Sequence, residues 1–176
     1  MTISETTSSS SARFQVPPTV SSEAAAILTA LYEASQLAPA PVKPSSDDDF
    51  ASVNRQLEAV FAPVNEELAG RLGTTTRRDQ LGGVPIVRII PSGDHKDARV
   101  LVYVHGGAYV YFSAGTMIGL PSLIAEATGI EVISIDYTLA PQARWPAITD
   151  EVLTVWKALL AYGRDAGSIG FFGDSA

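Results

Sequence analysis

Val100-Leu101-Val102-Tyr103-Val104-His105-Gly106-Gly107-Ala108-Tyr109 decides how this chain folds. Its first five residues are continuously apolar, as in a strand covered on both faces of a parallel sheet. His105-Gly106-Gly107-Ala108-Tyr109 follows without a linker. Two successive glycines let the backbone turn with no Cβ in the way, so that N–H groups face a cleft. Such donors can hold the negative oxygen of a tetrahedral intermediate. An ordinary strand-end turn reads the same way, so the segment alone does not separate the two.

Downstream, strand and helix patterns alternate. A helical stretch from about Leu120 to Ala127 stops at Gly129, and Ile130–Ile135 reads as the next strand. Trp145-Pro146-Ala147 opens another helix, with Val152, Leu153, Val155, Trp156 and Leu159 on its apolar side. Ser168–Phe172 reads as a third strand. Repeated βα units with short loops predict a mostly parallel α/β sheet with right-handed crossovers. Gly173-Asp174-Ser175-Ala176 leaves that third strand and matches the first four positions of G-x-S-x-G. In that motif a serine sits on a strained strand-to-helix turn, and flanking side chains would clash across it.

Upstream, Thr74–Gln80 and Val84–Ile90 flank Gly82-Gly83 as an antiparallel hairpin. Before it, Phe50, Val53, Leu57, Val60, Val64 and Leu68 recur at helical spacing and form one apolar face. Asp47, Asp48 and Asp49 meet the positive end of that helix dipole. Read instead as metal ligands, they lack nearby partner ligands. Pro63 is expected to kink the helix or end its regular part. Ser21 or Ser22 caps an earlier helix carrying Ile27, Leu28, Leu31 and Tyr32, and the prolines between Ala38 and Pro44 break it. Met1–Ser11 holds eight Ser or Thr and no Lys or Arg, the composition of a solvated tail and not of a signal peptide. The expected division is a disordered tail over 1–17, a helical cap over 18–70, and an α/β core over 71–176.

Composition narrows the function classes. The 176 residues include 12 basic and 19 acidic side chains, a net charge of -7, and no cysteine. An acidic surface does not displace counterions from phosphates, so no nucleic-acid partner is expected. No run reaches the ~20 apolar residues of a membrane span. The lack of cysteine fits a reducing compartment, and a cytoplasmic location is expected. No metal-ligand spacing, phosphate loop or dinucleotide fingerprint occurs, so no cofactor is expected.

Between the glycine turn and the serine turn lies Asp136-Tyr137-Thr138-Leu139-Ala140-Pro141, with Trp145-Pro146-Ala147 just beyond. These three motifs in this order resemble the hormone-sensitive-lipase-like family of α/β-hydrolase serine esterases. That family combines an HGGG-type loop, a D-Y-R-L-A-P-E-x-x-[FY]-P-A segment and a G-D-S-A-G-G elbow. The resemblance implies an α/β-hydrolase fold of mostly parallel sheet, preceded by cap helices and an antiparallel hairpin. It also implies hydrolysis of short-chain acyl esters, with Ser175 as nucleophile. The backbone N–H groups of Gly107, Ala108 and Ala176 would form the oxyanion hole, with Gly106 shaping the loop. Asp174 would brace the turn, and His105, Gly173 and Asp136 would be structural motif positions. Ala108 replaces a glycine of the pattern, which a backbone donor tolerates. Thr138 and Gln142 stand where the family has Arg and Glu, read here as a local structural change.

A serine nucleophile needs a base and an orienting acid, which in this fold follow the serine in sequence. The two histidines both precede Ser175. His95 is separated from the catalytic edge by roughly 26 Å of strand at ~3.3 Å per residue, and His105 is committed to its loop. The reading is therefore an N-terminal portion of a longer enzyme. Its partners would be a small-molecule ester and a complementary C-terminal half, from the same protein or a second chain. The portion alone would be inactive. A homo-oligomer stays open. Two rival readings stand beside this one: a non-catalytic small-ligand-binding protein on a hydrolase scaffold, and an inert truncated relative.

Overall fold

The structure, a computed structural model, describes residues 14–37, 44–93 and 98–175. Most of the expected tail, the proline-rich break up to residue 43, His95 and Ala176 lie outside the described residues. The chain divides into two units, Met1–Lys43 and Pro44–Ala176.

The first unit contains helix α1 (Ser22–Leu37). Ser21 starts it, its Oγ accepting the Ala24 N–H at 3.2 Å. The Phe14 and Tyr32 rings stack with centroids 4.2 Å apart.

The second unit opens with α2 (Asp47–Leu72). A capping box starts this helix: Ser46 Oγ accepts from the Asp49 N–H, and Asp49 Oδ2 accepts from the Ser46 N–H. Gly73 ends it in the left-handed conformation. Of the two outcomes expected at Pro63, an end to the helix does not occur: α2 runs on through it to Leu72. Proline removes one intrahelical hydrogen bond. Anchors on both sides hold the helix together there: Asn54 and Glu58 before Pro63, Asn65 and buried Ala69 after it.

Strands β1 (Thr75–Leu81) and β2 (Val84–Ile90) form the hairpin about Gly82-Gly83, with Leu81 opposite Val84. Then follow β3 (Val100–Val104), α3 (Gly119–Thr128), β4 (Glu131–Ile135), α4 (Ala147–Ala161) and β5 (Ile169–Gly173). The five strands lie in the order β1-β2-β4-β3-β5. β2 meets β4 antiparallel, while β4, β3 and β5 run parallel.

Alternation along β3 explains its unbroken apolar run. Val100 and Val102 join one core cluster with Ile133, Ile135, and Ile148, Val155 and Leu159 of α4. Tyr103 belongs to the opposite cluster, with Val87, Ile89, Val132, Ala69 of α2 and Ala125 of α3. Helices thus cover both faces of β3, and each buried Val or Ile contributes about 1.5–3 kcal/mol relative to exposure. β5 is an edge strand among the described residues, and Phe171 on it is 47% exposed.

Candidate active site

Strand register assembles the site. Val104 pairs with Ile135 on one side and Gly173 on the other. The residues that follow, His105, Asp136 and Asp174, therefore leave three neighbouring parallel strands at one level. Ligand sites in open α/β sheets form at this carboxyl edge.

Ser175 has φ 46, a left-handed conformation that few non-glycine residues adopt. That backbone turns the chain sharply at the end of β5. The Gly107 and Ala108 N–H groups converge on its carbonyl oxygen at 3.3 and 3.4 Å. Both donors sit in positive-φ backbone, Gly107 at 118 and Ala108 at 54. Gly106 permits this approach: a Cβ there would lie 2.7 Å from the Asp174 carbonyl oxygen and 2.9 Å from Ser175 Cβ. Gly173 is pressed as closely, a Cβ falling 2.7 Å from the Val104 carbonyl oxygen.

Asp174 ties the serine turn to the glycine loop. Its Oδ1 accepts from the Tyr103 hydroxyl at 2.5 Å and from the Gly106 N–H at 3.3 Å. Burial, then Asp174, pushes the Tyr103 hydroxyl well above its ordinary range. His105 is fully buried, its Nδ1 2.9 Å from the Gly106 carbonyl and its ring stacked on Tyr137 at 4.2 Å. The Tyr137 hydroxyl donates to the His105 carbonyl at 2.6 Å. Burial lowers the His105 pKa, which favours the neutral ring. Asp136 Oδ1 accepts the Ala114 N–H at 2.8 Å, and its own N–H donates to the Pro85 carbonyl at 3.0 Å. Thr138, where the resembled family has Arg, donates through N–H and Oγ1 to the two Glu151 oxygens at 2.7 and 2.8 Å.

The predicted residues Gly106, Gly107, Ala108, Asp174 and Ser175 thus meet in one place, with His105 and Asp136 behind the loop. Three participants were missed: Asn54 of α2, Tyr103 and Tyr137. A tyrosine in a doubly covered strand signals a hydroxyl that needs a partner. Asn54 leaves no comparable sign. A cleft of about 710 Å³ opens between α4 and β5, bounded by Tyr109, Ile148, Val152, Phe171 and Ser175. Among the described residues no group of His, Cys, Asp or Glu could hold a metal ion, and no helix is long and apolar enough to cross a membrane.

Known proteins share this fold. Residues 101–176 match the model of the α/β-hydrolase fold family. A protein of Mycobacterium tuberculosis, provisionally named acetyl-hydrolase, is 38% identical over 104 residues, covering 59% of this chain and 33% of that one. An ethyl acetate hydrolase of Pseudomonas putida is 39% identical over 108 residues, 59% of this chain and 34% of its own. The chain spans about a third of the length of these relatives. A bacterial hormone-sensitive-lipase-family esterase superposes with a TM-score of 0.62 at 33% identity, covering 78% of this chain and 43% of that one. With the strand order, the glycine loop and the serine turn in one place, residues 101–176 carry the α/β-hydrolase fold, and the chain is similar to esterases of the hormone-sensitive-lipase family.

Proposed function

We propose that the intact protein hydrolyses short-chain carboxylic esters through Ser175. The supporting observation is the convergence of the Gly107 and Ala108 N–H groups on the backbone carbonyl oxygen of Ser175. In the reaction Ser175 Oγ attacks the acyl carbon and gives its proton to a histidine. The carbonyl π electrons move onto oxygen, which the two amides and the Ala176 N–H stabilise. The Ser175 carbonyl must swing aside for that oxygen to take its position. Collapse expels the alcohol, protonated by the imidazolium, and leaves an acyl-serine. Water, deprotonated by the same histidine, then releases the acid.

The histidine and its orienting acid come from sequence outside these 176 residues, in the same protein or a complementary chain. His105 is excluded from that role by its burial against Tyr137. The acyl group occupies the part of the cleft beside Tyr109 and Ser175. The supplied half packs along exposed Phe171 and Leu153. Residues 18–70 act as the cap, and 71–176 as the first half of the catalytic core.

The test is p-nitrophenyl acetate turnover by the intact protein. Ser175→Ala is expected to lower kcat by at least about 10³-fold, since the nucleophile starts the acyl transfer. Retained turnover overturns the assignment. No turnover by the wild type, together with saturable binding of an ester analogue, favours a ligand-binding protein instead.

A further inference from the structure

Helix α2 turns an unexpected face toward the rest of its unit. Val60 and Val64, members of its apolar stripe, are 66% and 65% exposed. The face in contact carries Asn54, Glu58 and Asn65, with Ala62 between the last two and buried Ala69 one turn beyond. Each of the three polar side chains bonds to the stretch leading from the glycine loop to α3. Glu58 Oε1 accepts from Thr116 Oγ1 at 3.0 Å, and Asn65 Oδ1 accepts from the Gly119 N–H at 3.0 Å. Asn54 Oδ1 accepts from the Phe112 N–H at 2.6 Å.

Only the Asn54 bond bears directly on the oxyanion donors. The Phe112 N–H and the Tyr111 carbonyl are two ends of one planar peptide group. The carbonyl end presses on Gly107, where a Cβ would lie 2.3 Å from the Tyr111 oxygen and 2.9 Å from Phe112 Cδ2. Asn54 therefore grips one end of a rigid plate whose other end backs onto a donor residue. Phe112 itself is held at φ 71, a conformation it would leave if released. Phe61, two helical turns along α2, meets the Phe112 ring edge-on at 5.2 Å.

We propose that Asn54 is a positioning residue for the oxyanion turn, clamping the Tyr111–Phe112 peptide against Gly107. The inference rests on the ester-hydrolase reading for its kinetic consequence but not for its structural one. Glu58 and Asn65 hold the same stretch farther along and serve as internal comparators.

The experiment compares N54A, N54D and N65A in the intact protein. It measures kcat and KM for p-nitrophenyl acetate, and amide hydrogen exchange of the peptide spanning 105–112. N54A is expected to lower kcat about tenfold or more with KM within about twofold, because donor geometry matters most in the transition state. Exchange over 105–112 should speed up. N54D keeps an acceptor oxygen in place and should stay within about threefold of wild type in kcat. N65A loses a bond of the same kind and should change neither kcat nor exchange over 105–112. Equal effects of N54A and N65A, or no effect of N54A, overturn the proposal. Should the wild type show no turnover, the ester-hydrolase reading fails and exchange decides alone: acceleration in N54A but not N65A supports the clamp, and its absence overturns it. Should N54A not fold, Asn54→Ser, too short for the 2.6 Å contact, is read in its place against the same outcomes.

Discussion

The Tyr103 hydroxyl donates to Asp174 Oδ1 at 2.5 Å, joining residues 71 positions apart in the chain. One is buried on β3, and the other precedes the serine at the end of β5. The same carboxylate oxygen accepts from Gly106. The strand, the glycine loop and the serine turn are thereby locked at one atom. Tyr103→Phe removes the hydroxyl and leaves Asp174 with the longer Gly106 bond. A hydrogen bond to a charged group contributes about 1.5–3 kcal/mol, so the denaturant midpoint should fall by that equivalent with unchanged m. Absorbance at 295 nm gives a second reading. Tyr103 and Tyr137, raised by burial, should stay un-ionised where exposed tyrosines titrate near pH 10. The sign follows: their folded pKa values exceed the unfolded ones, so stability is lost as pH rises above about 10. If Tyr103 and Tyr137 ionise near pH 10 in the folded protein, the burial argument fails.

Gly106→Ala tests the closeness of the two loops. The added methyl meets backbone at 2.7 Å, not a flexible side-chain end. Loop and serine turn must separate, and overpacking of this kind costs about 1–3 kcal/mol. Misplacement by about 1 Å can cost 10²-fold in rate. The expected outcome is a fall of about that size in kcat/KM at a temperature where the variant remains folded by circular dichroism. A variant with wild-type kcat/KM would show that the approach of the loops is irrelevant to turnover.

Much of this arrangement is legible in the sequence. The run Val100–Val104 could be read because a strand covered on both faces has no polar positions to confuse the pattern. Gly106 and Gly173 could be read because no other residue fits where backbones nearly touch. The inward face of α2 was not legible. Its apolar periodicity marked a helix correctly, yet Val60 and Val64 face outward while Asn54 and Glu58 face the loop. Periodicity shows that faces differ, not which one a neighbour with unpaired N–H groups will need. Thr138 reads in the sequence as a local structural change, with no sign of which residue it bonds. Its partner is Glu151, thirteen residues on and in α4. Only the turn between β4 and α4 creates that proximity.

His105 gives the protein a defined weakness toward acid. Burial holds its pKa below the ordinary 6.5, while Asp136, Asp174 and Glu58 act in the opposite direction. The folded pKa is the lower one, so the unfolded chain takes up the proton first. Stability from this group is whole above about pH 6.5 and falls as pH drops from there to the folded pKa. The slope is at most about 1.4 kcal/mol per pH unit. His105→Gln, neutral at every pH, should be less stable at pH 7.5 and show a flatter decline between about pH 6.5 and 5. Parallel declines in variant and wild type would mean that other groups set the acid limb.

Arg88 fastens three strands at once and is the charge whose loss should be felt most. From β2 its Nε donates to Asp79 of β1 at 2.7 Å, and its Nη1 donates to Glu131 of β4 at 2.7 Å. Its side chain is only 18% exposed, whereas Arg77, 3.4 Å from the same Asp79, is 65% exposed. Desolvation acts against the charged guanidinium, and the bonds to Asp79 and Glu131 outweigh it, raising its pKa. The Glu131 bond is charge-assisted and partly shielded, so Arg88→Met should cost about 1–3 kcal/mol in denaturant unfolding. Arg77→Met should cost nothing measurable, since exposed pairs are screened and entropically expensive to hold. Arg88→Lys keeps the charge but cannot reach both carboxylates with a planar fork, and should recover less than half of the loss. Equal losses for Arg88→Met and Arg77→Met would show that the shielding of Arg88, and not merely its charge, had been overvalued.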